Sequence, residues 1–218
     1  MNYEIINRIL TSLVLFPVLI FSLYLSGLYL IILLCLIYFI LFFEIIKNTK
    51  NLLFNLLSNA IIIIALYSLY YLRGDTNYSL ITIYWILIAT FLSDVGGFIF
   101  GKTFKGKKLT KISPNKTYSG SIGSIVLSIT SIFSLNFFQT FFLNQYVINF
   151  LQLKYLILTI LISIVCQLGD LYVSFWKRKG NIKNISNILP GHGGLLDRID
   201  GLIFVLIFIF IIEKFNLI

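Results

Sequence analysis

Four aspartates stand where an apolar chain has most reason to exclude them: Asp94, Asp170, Asp197 and Asp200, half of its eight acidic residues. Asp94 lies eight residues before Lys102 and Asp170 seven before Lys177, both within apolar runs. On a helix that spacing puts each about 10–12 Å from the basic loop that follows. A carboxylate at such depth costs on the order of 2.5–3.5 kcal/mol and faces a cavity or a partner rather than lipid. Asp197 and Asp200, three apart, share one face of a helix. Carboxylates so placed suit Mg²⁺, which takes one or two protein carboxylates together with nucleotide phosphates. Zinc is poorly served by a single histidine, His192, and two distant cysteines, Cys35 and Cys166.

Around these acids gather the groups that hold phosphate. Twelve of the 14 glycines fall between Asp94 and Gly123 or between Gly169 and Gly201, the windows that also contain the four aspartates. Glycine permits close backbone approach to an anion, although each one alone reads equally as a turn or a helix contact. Ser113-Pro114-Asn115-Lys116-Thr117 is a proline-fixed turn that presents one lysine and hydroxyls just before a glycine-led span, an arrangement suited to gripping phosphate. Lys105, Lys107 and Lys108 read as a topology signal. Lys177, Arg178 and Arg198 are placed to neutralise phosphates. Pro190-Gly191-His192-Gly193-Gly194 forms a tight turn before the last helix, where His192 either serves a ligand or caps the helix.

The elements that position these residues are membrane helices. The chain of 218 residues is 59% hydrophobic and 11% charged, far from the roughly 25% charged residues of soluble domains. A span needs about 20 apolar residues, so the uncharged run from Ile9 to Phe43 divides, at Ser26-Gly27. The expected spans are Ile9–Leu25 with Pro17 as a tolerated kink, Leu28–Ile46, Leu52–Leu72, Tyr78–Phe100, Gly120–Leu143, Leu153–Trp176 and Ile199–Ile212. Arg8 before an apolar run is like a signal peptide, yet no small-residue cleavage site follows, so the first span reads as retained. Glu44 and Glu213, near Lys47 and Lys214, read as interfacial. With seven spans, fourteen of the 17 Lys and Arg fall on the side of the N-terminus, leaving Arg73, Lys154 and Lys214 opposite. The positive-inside rule then gives an all-α, polytopic transmembrane helix bundle, N-in and C-out, with the long basic loops cytoplasmic. No basic helix or aromatic RNA-binding motif accompanies the charge of +9, which excludes nucleic acid as the expected partner. The chain reads as one membrane domain, 1–218, with N-terminal apolar spans to residue 77 and the chemistry in 78–218.

Ser174-x-x-Lys177-Arg178, then Lys183, then Pro190-Gly191-His192-Gly193-Gly194-Leu195-Leu196-Asp197-Arg198-Ile199-Asp200 resembles the signature of the phosphatidate cytidylyltransferase, or CDP-diacylglycerol synthase, family. Ser93-Asp94-x-Gly96-Gly97-x-x-Phe100-Gly101-Lys102, Ser113-Pro114-Asn115-Lys116-Thr117-x-x-Gly120 and Gln167-Leu168-Gly169-Asp170 are similar to further segments of that family. Three positions depart from it. Asn184 stands where an aspartate is usual, Trp176 where a smaller apolar residue is common, and Ser119 where Glu or Gln is frequent. The chain is also shorter than the family usually runs.

The resemblance implies transfer of a cytidylyl group from CTP to phosphatidate in the inner membrane, with the active site on the cytoplasmic side. Asp170 and Asp197 match the family's metal aspartates, with Asp94 and Asp200 assisting a Mg²⁺, alone or with a monovalent cation. Ser113, Lys116, Thr117, Lys183 and the turn of Gly191, His192, Gly193 and Gly194 are then substrate-binding, and Lys177, Arg178 and Arg198 serve the reacting phosphates. The chain acts alone or as a homodimer. A CTP-dependent lipid kinase is the near alternative, and a transporter using Asp94 and Asp170 as an ion path is the alternative from another class.

Overall fold

The computed structural model describes residues 2–48, 52–110, 113, 116–142, 148–179, 186 and 193–216. Among them are seven helices: α1 (Asn2–Leu25), α2 (Gly27–Asn48), α3 (Leu52–Arg73), α4 (Asn77–Phe104), α5 (Tyr118–Phe142), α6 (Leu153–Lys179) and α7 (Leu196–Lys214). The all-α bundle expected from composition is the observed one. The division between the first two helices falls at Ser26 and Gly27, both with positive φ.

Five helices, α2 to α6, are long and apolar enough to cross a membrane. The first contributes a shorter apolar stretch, Leu13–Leu25. The last spans 19 residues but carries Asp197, Arg198 and Asp200 at its start and Glu213 and Lys214 at its end. Large apolar side chains such as Phe16, Leu28, Phe91 and Phe137 cover the outside, as expected of a chain solvated by lipid. Buried Trp85, Phe150 and Tyr155 pack together inside.

One end of the bundle is tied by backbone capping. Thr76 and Ser79 form a capping box that starts α4. Arg73 donates to the carbonyls of Leu23, at 2.5 Å, and Tyr24, at 3.2 Å, satisfying the end of α1. The opposite end collects the end of α4, the start of α5, the end of α6 and the start of α7.

The α4–α5 pair is the most extensive helix contact, and glycine explains it. A methyl group on Gly96 would run into the Gly123 carbonyl, and one on Gly123 into the Phe100 ring. A methyl on Gly97 would stand 2.7 Å from the Ser124 hydroxyl oxygen. Such close backbone approach is how helices associate in lipid, where no hydrophobic drive separates them from the solvent.

Candidate active site

Between α4 and α5 the chain returns through a short antiparallel bridge of Lys108 with Thr117, in which Leu109 donates to the Lys116 carbonyl at 2.7 Å and Tyr118 to the Lys107 carbonyl at 3.1 Å. Ser113 lies in the turn, and its carbonyl accepts from the Lys116 amide at 3.0 Å. Thr117 then caps α5, taking the Gly120 amide at 3.1 Å. Ser119 donates to the Lys105 carbonyl and closes the loop. The result is that Lys116 is aimed back over the bundle.

There it meets α6. The Lys116 ammonium lies 2.5 Å from Asp170 and 3.5 Å from the Gln167 carbonyl. Ser174, one turn beyond Asp170, donates to its other oxygen at 3.2 Å. Gln167, one turn before, accepts from Ser121 of α5 at 2.5 Å and donates to Ser163 at 3.3 Å. Lys116, Ser121, Gln167 and Asp170, together with Asp94, Gly97, Phe98, Leu109, Ser113 and Thr117, line a cleft of about 300 Å³. Asp94 opens to this cleft and accepts from the Cys166 thiol at 3.4 Å. At the cleft's margin Phe98 is 69% exposed, so polar chemistry and the lipid surface meet within one helix turn.

A second ion pair lies next to the first. Lys177, near the end of α6, lies 2.9 Å from Asp197 in the first turn of α7. The other oxygen of Asp197 takes the Gly194 amide at 3.4 Å. Asp200, one turn along, is buried, accepts from the Gly201 amide at 2.9 Å and lies within electrostatic reach of Asp170, Asp94 and Lys177. It thereby links the two pairs. Arg178 and Arg198 are exposed at the same end.

All four aspartates that the spacing singled out therefore gather with Lys116, Thr117, Ser113, Lys177 and Gly194. Lys183, Asn184, Gly191 and His192 lie outside the described residues. Lys177 and Lys116, both expected to face phosphate, each lie against a carboxylate, Asp197 and Asp170. Trp176 stacks on Phe54 of α3, ring centroids 4.6 Å apart and 8° from parallel, which gives its bulk a place.

Glu44 corrects the sequence reading. Near the end of α2, as expected, it is nonetheless 1% exposed and bonded within the protein rather than paired with Lys47. It accepts from the Leu195 amide at 2.8 Å, the Leu196 amide at 3.0 Å and the Ser186 hydroxyl at 2.5 Å. Sequence reasoning missed it because the nearest charge, Lys47, offered a local explanation. The available signal was the start of α7, whose Gly193-Gly194-Leu195 supplies no capping side chain.

The donor set is chemically suited to a hard divalent cation, since every candidate atom is a carboxylate or hydroxyl oxygen. Among the described residues no three acidic, histidine or cysteine side chains converge to hold an ion by themselves. One or two carboxylates with substrate phosphates completing the shell is the usual arrangement for Mg²⁺.

Comparison with known proteins gives a consistent picture. The model of the cytidylyltransferase family matches residues 48–215. The phosphatidate cytidylyltransferase of Rickettsia conorii is 34% identical over 209 residues, covering 94% of this chain and 90% of the relative. That of Staphylococcus haemolyticus is 40% identical over 154 residues, 70% of this chain and 55% of the relative. That of Bacillus subtilis is 37% identical over 142 residues, 64% of this chain and 49% of the relative. The match thus takes in nearly all of the first relative and about half the length of the other two.

Proposed function

The chain belongs to the cytidylyltransferase family, and on that premise we propose that it converts CTP and phosphatidate into CDP-diacylglycerol and pyrophosphate. The observation that carries this reading is the pairing of Lys116 with Asp170 and of Lys177 with Asp197 at one end of a membrane bundle, beside a cleft that reaches lipid-facing Phe98.

The reaction joins two anions. A phosphate oxygen of phosphatidate attacks the α-phosphorus of CTP, a new P–O bond forms there, and the bond to the oxygen bridging the α- and β-phosphates breaks as pyrophosphate leaves. The attacking oxygen is already ionised at neutral pH, so no side chain has to remove a proton. The protein's work is to align the two phosphates and offset their charge. Lys116 and Lys177, oriented by their aspartates, donate to phosphate oxygens, and Ser113 and Thr117 add hydroxyls beside Lys116. Arg178 and Arg198 supply further positive charge at the rim. Gly191, His192, Gly193, Gly194 and Lys183 bind substrate, as the resemblance implies.

Asp170 and Asp197 would hold a Mg²⁺, with Asp94 and Asp200 assisting through their charge rather than as ligands, and the ion would neutralise charge on the phosphates. Its fit rests on the all-oxygen donor set described above. Phosphatidate keeps its acyl chains in the bilayer while its head group enters from the side of Phe98. The basic end of the bundle reads as cytoplasmic, because fourteen of the 17 Lys and Arg fall on that side in the seven-span, N-in arrangement, and CTP is supplied there.

The test is an assay of purified protein in detergent with phosphatidate and CTP labelled in the α-phosphate. Label is expected in the lipid. If label enters lipid only from the γ-phosphate of CTP with diacylglycerol as acceptor, the protein is a lipid kinase instead. If it enters neither lipid, the enzyme reading fails.

A further inference from the structure

We propose that Glu44, a residue of α2 that precedes the segment matched by the family model, is a positioning residue that sets the first turn of α7 and through it Asp197. The proposal rests on the reading of Asp197 as part of the cytidylyltransferase site.

The first turn of any helix presents amide groups that have no acceptor within the helix. A preceding Ser, Thr, Asp or Asn commonly supplies one. Here the preceding residue is Leu195, with helical backbone angles and no side-chain bond to offer. Glu44 supplies the acceptors from another helix. One of its oxygens takes the Leu195 amide at 2.8 Å and the other the Leu196 amide at 3.0 Å. A carboxylate that is 1% exposed is tolerated only when its oxygens are well hydrogen-bonded, and the positive end of a helix favours the charge as well. Ser186 adds a third donor at 2.5 Å.

Three successive amides are thus divided between two acids. Gly194 donates to Asp197, and Leu195 and Leu196 donate to Glu44. Gly194 lies between the two carboxylates, and a methyl group there would stand 3.2 Å from an oxygen of each. Glu44 therefore fixes the height and rotation of the turn from which Asp197 reaches Lys177 at 2.9 Å. It contributes no atom to the cleft at Asp94 and Asp170. The route proposed for its influence on the reaction is through Asp197.

The experiment compares the wild type with Glu44→Ala, Glu44→Gln, Asp197→Asn and the Glu44→Ala, Asp197→Asn double variant, all as full chains in detergent. Two readouts are used: kinetics with CTP and phosphatidate, and amide hydrogen exchange of the peptide containing Leu195 and Leu196. The expectation is that Glu44→Ala accelerates exchange at these amides and lowers kcat by about tenfold or more, the size of a strong lost cap. KM for phosphatidate should stay within about twofold, because uniform binding at the cleft is untouched. Glu44→Gln, which keeps one of the two acceptor oxygens, should recover part of the loss. The double variant should be no slower than Asp197→Asn, since two residues acting through one group do not add. Unchanged exchange in Glu44→Ala overturns the cap. Faster exchange with unchanged kcat, or effects of the two substitutions that simply multiply, overturns the positioning role. A wild type that forms no CDP-lipid overturns the functional reading instead, and exchange then still decides whether Glu44 holds the turn.

Discussion

Lys116 and Asp170 form a 2.5 Å ion pair across the mouth of the cleft, a lysine from a loop against an aspartate from the middle of the bundle's sixth helix. Neither residue is free to act without the other, and this dependence shapes what their replacement should do. Lys116→Ala removes a phosphate donor and leaves Asp170 without its cation, so kcat/KM should fall by about 10²–10³, comparable to loss of a preorganised charge-stabilising donor. Steady-state kinetics with both substrates measures it. A loss below about tenfold would remove Lys116 from the site.

Lys177 and Asp197 should behave as a unit. Lys177→Met and Asp197→Asn are each expected to lower kcat by on the order of 100-fold. Their combination should fall well short of the product, because the second change removes an interaction already broken. A double-mutant cycle on kcat reads the coupling directly.

Chelation gives a third expectation. EDTA should abolish turnover and added Mg²⁺ restore it, because carboxylate and phosphate oxygens together make a hard-cation shell. The thermal midpoint without substrate should shift little, since among the described residues no three candidate ligands converge by themselves. A midpoint that drops by more than about 5 °C on chelation would indicate a structural ion instead.

The glycine seam should be intolerant for reasons of space. Gly123→Val drives a branched side chain into Phe100, and overpacking of this kind costs about 1–3 kcal/mol. A fall of several degrees in the thermal midpoint, with loss of monodisperse protein on size exclusion, is the expected result.

Trp176 should separate stability from activity. Trp176→Leu removes the stack on Phe54, worth about 0.5–1.5 kcal/mol beyond burial, and the midpoint should drop by a few degrees. Turnover per folded molecule should be unchanged, and a tenfold loss would show that the ring also orients Lys177.

The sequence was most legible where one local rule governs one element. The break at Ser26-Gly27 follows from the length of the uncharged run, and it lies where two residues take positive φ. The depth of Asp94 and Asp170 follows from counting along a helix. What spacing cannot convey is pairing: Lys177 and Asp197 were legible separately as a cation and an acid, yet their contact depends on how α6 and α7 cross. Glu44 was hidden more deeply. Its partners lie at the far end of the chain, and the only trace in sequence is a helix start that lacks a cap. Gln167 belongs to a motif legible in the sequence and bonds Ser163 one turn back on its own helix, but its bond to Ser121 requires α5 and α6 to be packed together.

The bond from Glu44 to Leu195 and Leu196 also bears on the order in which the protein is made. Glu44 enters the bilayer on the second helix, and its acceptor role is filled only when residues 151 and 152 positions later arrive. At about 5–20 residues per second of synthesis, the carboxylate spends on the order of 10–30 s at the end of an apolar helix before these partners exist. Through that interval it must remain at the water-facing edge. The helix that begins at Leu196 is therefore the one that allows α2 to settle.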